Sequence, residues 1–228
     1  MLSLSQSTPE QLLGELNDIE RKNAPAVLYC AGDMSLLNAA PRIAIVGSRA
    51  ATAAGVKRAA KLTRLLVERG AVIVSGMAEG IDTVAHQNAL NENGRTIAVL
   101  GSPLDAPYPA SNRYLFERIV AEGLVVSQFA TGSAIQPKNF PIRNRTMALL
   151  SHATVIVEAG EKSGTLHQAW EALRLGRPLF LLESVADDAT LTWPAKVQHY
   201  GAQVLSEQNL DEFLNLLPEG HFEEAVAF

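Results

Sequence analysis

The sequence predicts a doubly wound α/β domain, a mostly parallel sheet with helices on both faces, and three observations predict it. Short apolar, β-branched runs recur at residues 42–46, 71–74, 96–100, 124–126, 154–157 and 178–182, and such unbroken runs suit strands buried on both faces. Stretches of helical composition separate them at 53–69, 81–93, 111–121, 141–151 and 164–175, lengths that fit the crossover helices of a parallel sheet. Gly70, Gly94, Gly123 and Gly176 each stand between a helix end and a strand start, where left-handed C-terminal caps are expected.

The elements around this core read less strongly. Residues 1–40 are expected to form an N-terminal extension of the same domain, with a small helix and a short apolar segment leading into the first strand. The core domain spans 41–205 and ends in a helix opened by Thr192, Trp193 and Pro194 and a short edge strand at 203–205. A closing helix at 209–217 and an acidic tail fill 206–228, and the tail is expected to fray.

Composition narrows the function. A chain of 228 residues that is 47% hydrophobic and 19% charged can bury one sizeable core, which excludes a coil or a disordered chain. The formal charge of −5 argues against coating nucleic acid through bulk positive charge, so any nucleic-acid site must be local. A single cysteine, Cys30, cannot form an intramolecular disulfide or a cysteine-rich zinc site, and the five histidines lack metal-ligand spacing. No metal and no cofactor are expected. No basic region leads into an apolar one at the N-terminus, and no stretch of about 18 apolar residues occurs, so the expected setting is cytoplasmic, without a membrane partner.

The candidate chemistry sits where strands end. Gly47, Ser48 and Arg49 close the first core strand, and small residues follow before a helix carrying Lys57, Arg58, Lys61 and Arg64. Such a loop can turn backbone N–H groups toward an anion, with Arg49 adding a bidentate contact, or be a plain tight turn. The second strand end supplies Ser75, Gly76 and Gly80 ahead of Asp82 and His86. Two glycine-bearing loops at neighbouring strand ends would face each other across a crevice, the usual ligand position in open α/β sheets. Asp82 and His86, four apart on one helical face, could touch a substrate, but the reading preferred is a structural pair beside the loop. Asp105 and Asn112 read as turn or capping residues of a shaped loop that also holds Tyr108.

The most informative stretch holds Lys138, Asn139, Phe140, Pro141, Arg143, Asn144 and Arg145 inside a segment, 123–157, without one acidic residue. Cations around an aromatic supply what single-stranded nucleic acid needs, phosphate contacts and a π-face for a base. A solvated charged face with a core phenylalanine is the plainer reading of the same residues. The acid-free segment 34–67, with six basic residues, extends the patch if the two loops are neighbours. Ser163, Gly164 and Thr165 at a later helix start offer either a further anion site or a simple cap.

In order along residues 25–166 the text GDMSLLN, IAIVGSR, VSGMAEGIDTVAH, RTIAVLGSPLD, YPASN, SQFATG, NFPIRNRTMALLS and VIVEAGEKSGTL resembles the DprA (Smf) DNA-processing family. The resemblance implies an extended Rossmann-like domain that binds single-stranded DNA without catalysis, protects it and helps to load the RecA recombinase during transformation, commonly as a homodimer. It implies a pocket of Gly47, Ser48, Arg49, the loop 75–80, Lys138, Phe140, Arg143, Asn144 and Arg145, with Ser163 and Gly164 at the rim. In it Arg49, Lys138, Arg143 and Arg145 would grip phosphate and Phe140 would stack on a base. Family members often add a helical N-terminal domain and a C-terminal winged helix, for which this chain is short, and Pro103 stands where glycine is usual.

Two other functions use the same crevice. A nucleotide-sensing module would bind a mononucleotide and change partner contacts. A phosphoribohydrolase of the Lonely Guy type is suggested by GEKSGTLHQ, which partly resembles GGxGTxxE; Gln168 stands where that motif needs a glutamate, leaving Glu171, one turn on, as the carboxylate available.

Overall fold

The computed structural model describes residues 4–39 and 41–215. In chain order the elements are β1 (Ser5–Ser7), α1 (Pro9–Leu13), α2 (Asp18–Asn23), β2 (Leu28–Gly32), β3 (Arg42–Gly47), α3 (Ala53–Glu68), β4 (Val72–Ser75), α4 (Ile81–Asn91) and β5 (Arg95–Leu100). They continue as α5 (Arg113–Glu122), β6 (Leu124–Ser127), α6 (Asn139–Leu150), β7 (Ala153–Glu158), α7 (Thr165–Arg174), β8 (Leu179–Leu182), α8 (Glu183–Ala186), α9 (Trp193–His199), β9 (Gln203–Leu205) and α10 (Leu210–Asn215).

The nine strands form one sheet in the order β1-β2-β6-β5-β4-β3-β7-β8-β9. All pairings from β6 to β9 are parallel, as the continuous apolar runs predict. From β3 the chain winds outward through β4, β5 and β6, then returns to lay β7 on the other flank of β3. The strand order therefore reverses between β3 and β7. Alternation along β3 shows the two layers: Ile43 and Ile45 pack with Ala59, Leu66 and Ile81 from α3 and α4, whereas Ala44 and Val46 pack in the cluster of Met147, Ala169 and Trp193 from α6, α7 and α9.

Three expectations are corrected. The apolar segment near residue 28 is itself a strand: β2 pairs antiparallel with β6 and with β1, so the extension completes the sheet. Gly70 and Gly176 take the left-handed conformation, at φ +76° and +66°, but at the next helix end Asn93 takes it instead, at φ +54°. Gly94 is needed for space, since a Cβ there would lie 2.6 Å from the Val67 side chain. Gly123 is extended, with φ −152°, and a Cβ on it would meet the Thr96 carbonyl at 2.5 Å. The closing helix starts as expected, but residues 216–217 and the acidic tail lie outside the described residues.

Arg42 fastens the extension to the core. Its guanidinium is buried and donates to the carbonyls of Leu37, Ala39 and Leu150, and burial, aided by repulsion from Arg177, lowers its pKa to about 10. Arg42→Met keeps the volume and removes the donors for three carbonyls. It is expected to destabilise the fold by about 4 kcal/mol; a urea midpoint equal to that of the parent would refute this role.

Candidate nucleic-acid interface

At the reversal between β3 and β7 the carboxyl ends of the strands border a cleft of about 770 Å³, the place where open α/β sheets bind ligands. Its floor is built from buried residues, Val46, Asp82, Arg143, Asn144, Met147 and Gln168, and its rim from exposed ones, Arg49, Tyr108, Lys162, Gly164 and His167. Gly47, Ser48, Phe140 and Ser163 also line it.

The loops that bound the cleft are interlocked. Ser48 N–H donates to the Glu158 carbonyl, and Ile81 N–H donates to the Ser48 carbonyl, at 2.7 and 3.1 Å. The two glycine-bearing loops thus face one another, as their positions predict. Gly80, at φ +76°, allows this approach, since a Cβ there would collide with the Ser48 and Arg49 carbonyls. Met77 adopts φ 62° without being glycine, and Asn112 holds it by donating to its carbonyl and to Thr83 Oγ1, both at 2.8 Å. The Asn112 side chain therefore braces the loop after β4 and caps no helix, and Asp105 likewise accepts from Gly132 N–H, 27 residues on.

The backbone cradle predicted for an anion after β3, and the amides of the second loop, are filled by carboxylates of the chain itself. At the start of α3, Glu158 accepts from Thr52 N–H at 2.9 Å and from the Thr52 hydroxyl at 2.5 Å, with Arg58 at 3.6 Å. In the second loop Asp82 accepts from Gly76 N–H and Ala78 N–H, at 3.1 and 3.3 Å. Ser75 is buried and donates to the Ile45 carbonyl. These loops shape the cleft, and the anion chemistry falls to the side chains.

Those side chains differ from expectation. Arg143 lies in the floor, 5% exposed. It donates to the Gly76 and Val99 carbonyls and, at 3.0 Å, to Asn144 Oδ1, over a glycine whose Cβ would strike the guanidinium. Burial lowers its pKa; Asp82 opposes the shift and Arg49 adds to it. Burial also raises the pKa of Asp82, against the pull of Arg143 and the donors around it. Arg145 points away from the cleft to Glu171, at 3.3 Å. Lys138 is exposed just outside the cleft, and Asn139 is buried, donating to the Ala134 carbonyl. Neither lines the cleft, nor do Ser75, Gly76 and Gly80. Ser163 caps α7 by accepting from Thr165 N–H.

Phe140 sits beneath Arg49, whose Cζ lies 5.6 Å from the ring centroid, and beside Tyr108 at 5.5 Å. A Cβ on Gly101 would lie 2.6 Å from the ring, so the ring rests on bare backbone. The exposed groups of this stack are the Arg49 guanidinium and Tyr108, with Phe140 half-buried between them. Sequence reasoning misses Tyr108, Lys162, His167 and Gln168 as site residues; Lys162 and His167 do carry a signal, since they flank the Ser163–Gly164–Thr165 turn.

Asp82 and His86 do not bond each other. The Thr96 hydroxyl donates to the Ile73 carbonyl and so accepts from His86 Nδ1–H at 2.7 Å. Burial lowers the His86 pKa to about 3, against about 6.5 in an unfolded chain. Between those values the unfolded state binds more protons, so stability falls as pH falls from about 6.5 toward 3, by about 1.4 kcal/mol per pH unit. His86→Gln is expected to flatten the stability profile by that slope between pH 6 and 4; parallel profiles for the two proteins would contradict it.

The family model described as DNA recombination-mediator protein A matches residues 3–218. Protein Smf of Synechocystis sp. is 42% identical over 203 residues, covering 87% of this chain and 51% of the relative. DNA processing protein DprA of Bacillus subtilis is 34% identical over 204 residues, covering 90% and 68%. The chain thus spans about half to two thirds of the length of these curated relatives. Among solved structures, DNA processing protein A from Helicobacter pylori, described for its single-stranded DNA binding mode, superposes with a TM-score of 0.79 at 30% identity, covering 94% of this chain and 95% of that one. With a family match over nearly its whole length and that shared fold, the chain belongs to the DNA recombination-mediator protein A family, whose relatives carry the names DprA and Smf.

Proposed function

We propose that the cleft binds single-stranded DNA and performs no chemistry on it. The observation that carries this reading is the cationic, aromatic lining: Arg49, Arg143 and Lys162 stand against one lining carboxylate, the buried and hydrogen-bonded Asp82, with the Arg49–Phe140–Tyr108 stack beside them. Exposed Arg49 and Lys162 take the phosphates, Arg143 supplies fixed positive charge from below, and a base lies on the Arg49 plane. The Helicobacter pylori relative, described as binding single-stranded DNA, supports the same ligand. Lys138, just outside the cleft, extends the path of the strand.

The hydrolase alternative lacks its carboxylate. Glu171 is held by Arg145 and Arg174, at 3.3 and 3.6 Å, and does not line the cleft. Protection of DNA in recombination, a recombinase such as RecA as partner, self-association as a homodimer and a cytoplasmic setting complete the proposal. No helix among the described residues is long and apolar enough to cross a membrane.

Fluorescence anisotropy with a single-stranded oligonucleotide across a salt series, with duplex of equal length alongside, tests the proposal. Binding should prefer the single strand. Arg49→Ala with Lys162→Ala should weaken it and reduce the slope of log affinity against log salt by about 0.7 for each phosphate left without its cation. Phe140→Ala should cost about threefold, by removing the ring that holds the Arg49 guanidinium in place. Unaltered affinity in a folded triple variant, or tighter binding of mononucleotides than of oligonucleotides, would overturn it.

A further inference from the structure

A second pocket shares no lining residue with the cleft. Residues of α3, of the carboxyl ends of β8 and β9 and of the start of α10 enclose a groove of about 180 Å³, whose apolar lining is Leu62, Leu65, Leu182, Leu205 and Leu210. Leu62 and Leu205 are buried and the other three are partly so, which leaves apolar surface for a further apolar body to cover. A cavity of about 150 Å³ lined in this way takes up benzene, so the groove suits a phenyl ring or a short branched chain. Two cations border it. Lys61 is engaged by Glu207. Arg58 is not engaged in the same way: its side chain is 37% exposed, and Glu158, which faces it, stands at 3.6 Å, beyond hydrogen-bond reach. That carboxylate already accepts from Thr52 N–H and from the Thr52 hydroxyl. Arg58 Nε is buried with no hydrogen-bond partner among the described residues, and a buried donor left unmade is uncommon and costly.

We propose that this groove binds a small monocarboxylate with a branched or aromatic apolar body, the carboxylate on the Arg58 guanidinium and the body among the leucines. Arginine's planar fork matches a carboxylate, and the ligand gives Nε–H the acceptor it lacks once the partly exposed side chain turns toward the groove. A neutral apolar molecule would leave that donor unmade, and an inorganic anion would leave the leucines uncovered. The acids at the mouth do not oppose this charge. Glu207 is neutralised by Lys61, and Glu183 is exposed, where water and salt screen it. Glu183 also separates two sources of the same chemistry: the ammonium of a free amino acid such as leucine would find a partner in it, whereas a plain carboxylic acid offers it nothing. The site is independent of DNA binding in the cleft, so failure of either reading leaves the other standing.

The probes are 4-methylpentanoate, its amide and leucine, titrated into the full chain and followed by backbone amide chemical shifts. The acid should shift amides around Arg58, Leu65 and Leu205 to saturation and leave those around Arg49 and Lys162 in place. It should bind about tenfold more tightly than the amide, the low end for a hydrogen bond to a charged group. Arg58→Gln should reduce that preference below twofold, and Leu65→Trp, which fills the groove, should abolish binding of the acid. Tighter binding of leucine than of 4-methylpentanoate would support the proposal with free amino acids as the source, and the reverse order would support it with plain acids. Equal affinity for acid and amide in the parent protein overturns it without any variant, as does the absence of any response to the acid. Shifts confined to the cleft overturn it as well, and so do groove shifts that follow protein concentration and not the acid, which would give the groove to a second copy of the chain. Full preference retained in a folded Arg58→Gln protein refutes the assignment of the carboxylate to Arg58.

Discussion

A guanidinium buried beneath the strand ends is the constraint on which the cleft depends. Arg143 reaches from α6 to the Gly76 carbonyl, just beyond β4, and to the Val99 carbonyl within β5, so it ties the opposite helical layer to the carboxyl edge of the sheet. A buried charge of this kind persists only with compensation. Asp82 provides it, itself held by the Gly76 and Ala78 amides. Gly76 lacks a Cβ because the guanidinium occupies that space. The loop after β4 is thus the mount for a buried arginine and for the carboxylate that offsets its charge.

The same logic applies on the other side of the switch point. Glu158 closes β7 and fills the N-terminus of α3, which fixes the β3–α3 loop and turns Arg49 outward over Phe140. The α3 N-terminus, which would otherwise attract phosphate, is thereby satisfied internally. Ligand binding is therefore assigned to long side chains on a rigid rim, with the floor reserved for shape and polarity.

The fold is legible because it is written in local patterns. The apolar runs that form β3 to β8 have no polar face to expose, and the helical segments between them have lengths that suit crossovers. The segment around Leu28 does not read as a strand, since a short apolar run has no periodicity to separate a strand from a lead-in, and antiparallel pairing to β6 is a long-range event. The glycines before strands read as caps from position, yet Gly94 and Gly123 are there to admit a side chain and a carbonyl that arrive from elsewhere.

For the site, sequence locates the region and the residue types and cannot assign directions. The acid-free segment brings Phe140, Arg143 and Asn144 to one cleft, where they meet Gly47 to Arg49, Ala78 of the second loop and the turn at Ser163. Yet Arg143 and Arg145, two positions apart on α6, point to different surroundings, one to the sheet edge and one to Glu171, because residues two apart on a helix lie about 200° around its axis. Sequence by itself determined the alternation of strands and helices from β3 to β8 and the concentration of positive charge near Phe140, each a property of neighbours along the chain. Only the tertiary structure decided which carboxylates fill the loops, which arginine is buried and that Gln168 faces the cleft, because those outcomes depend on groups brought together across the sheet, whose separation in sequence carries no record of the contact.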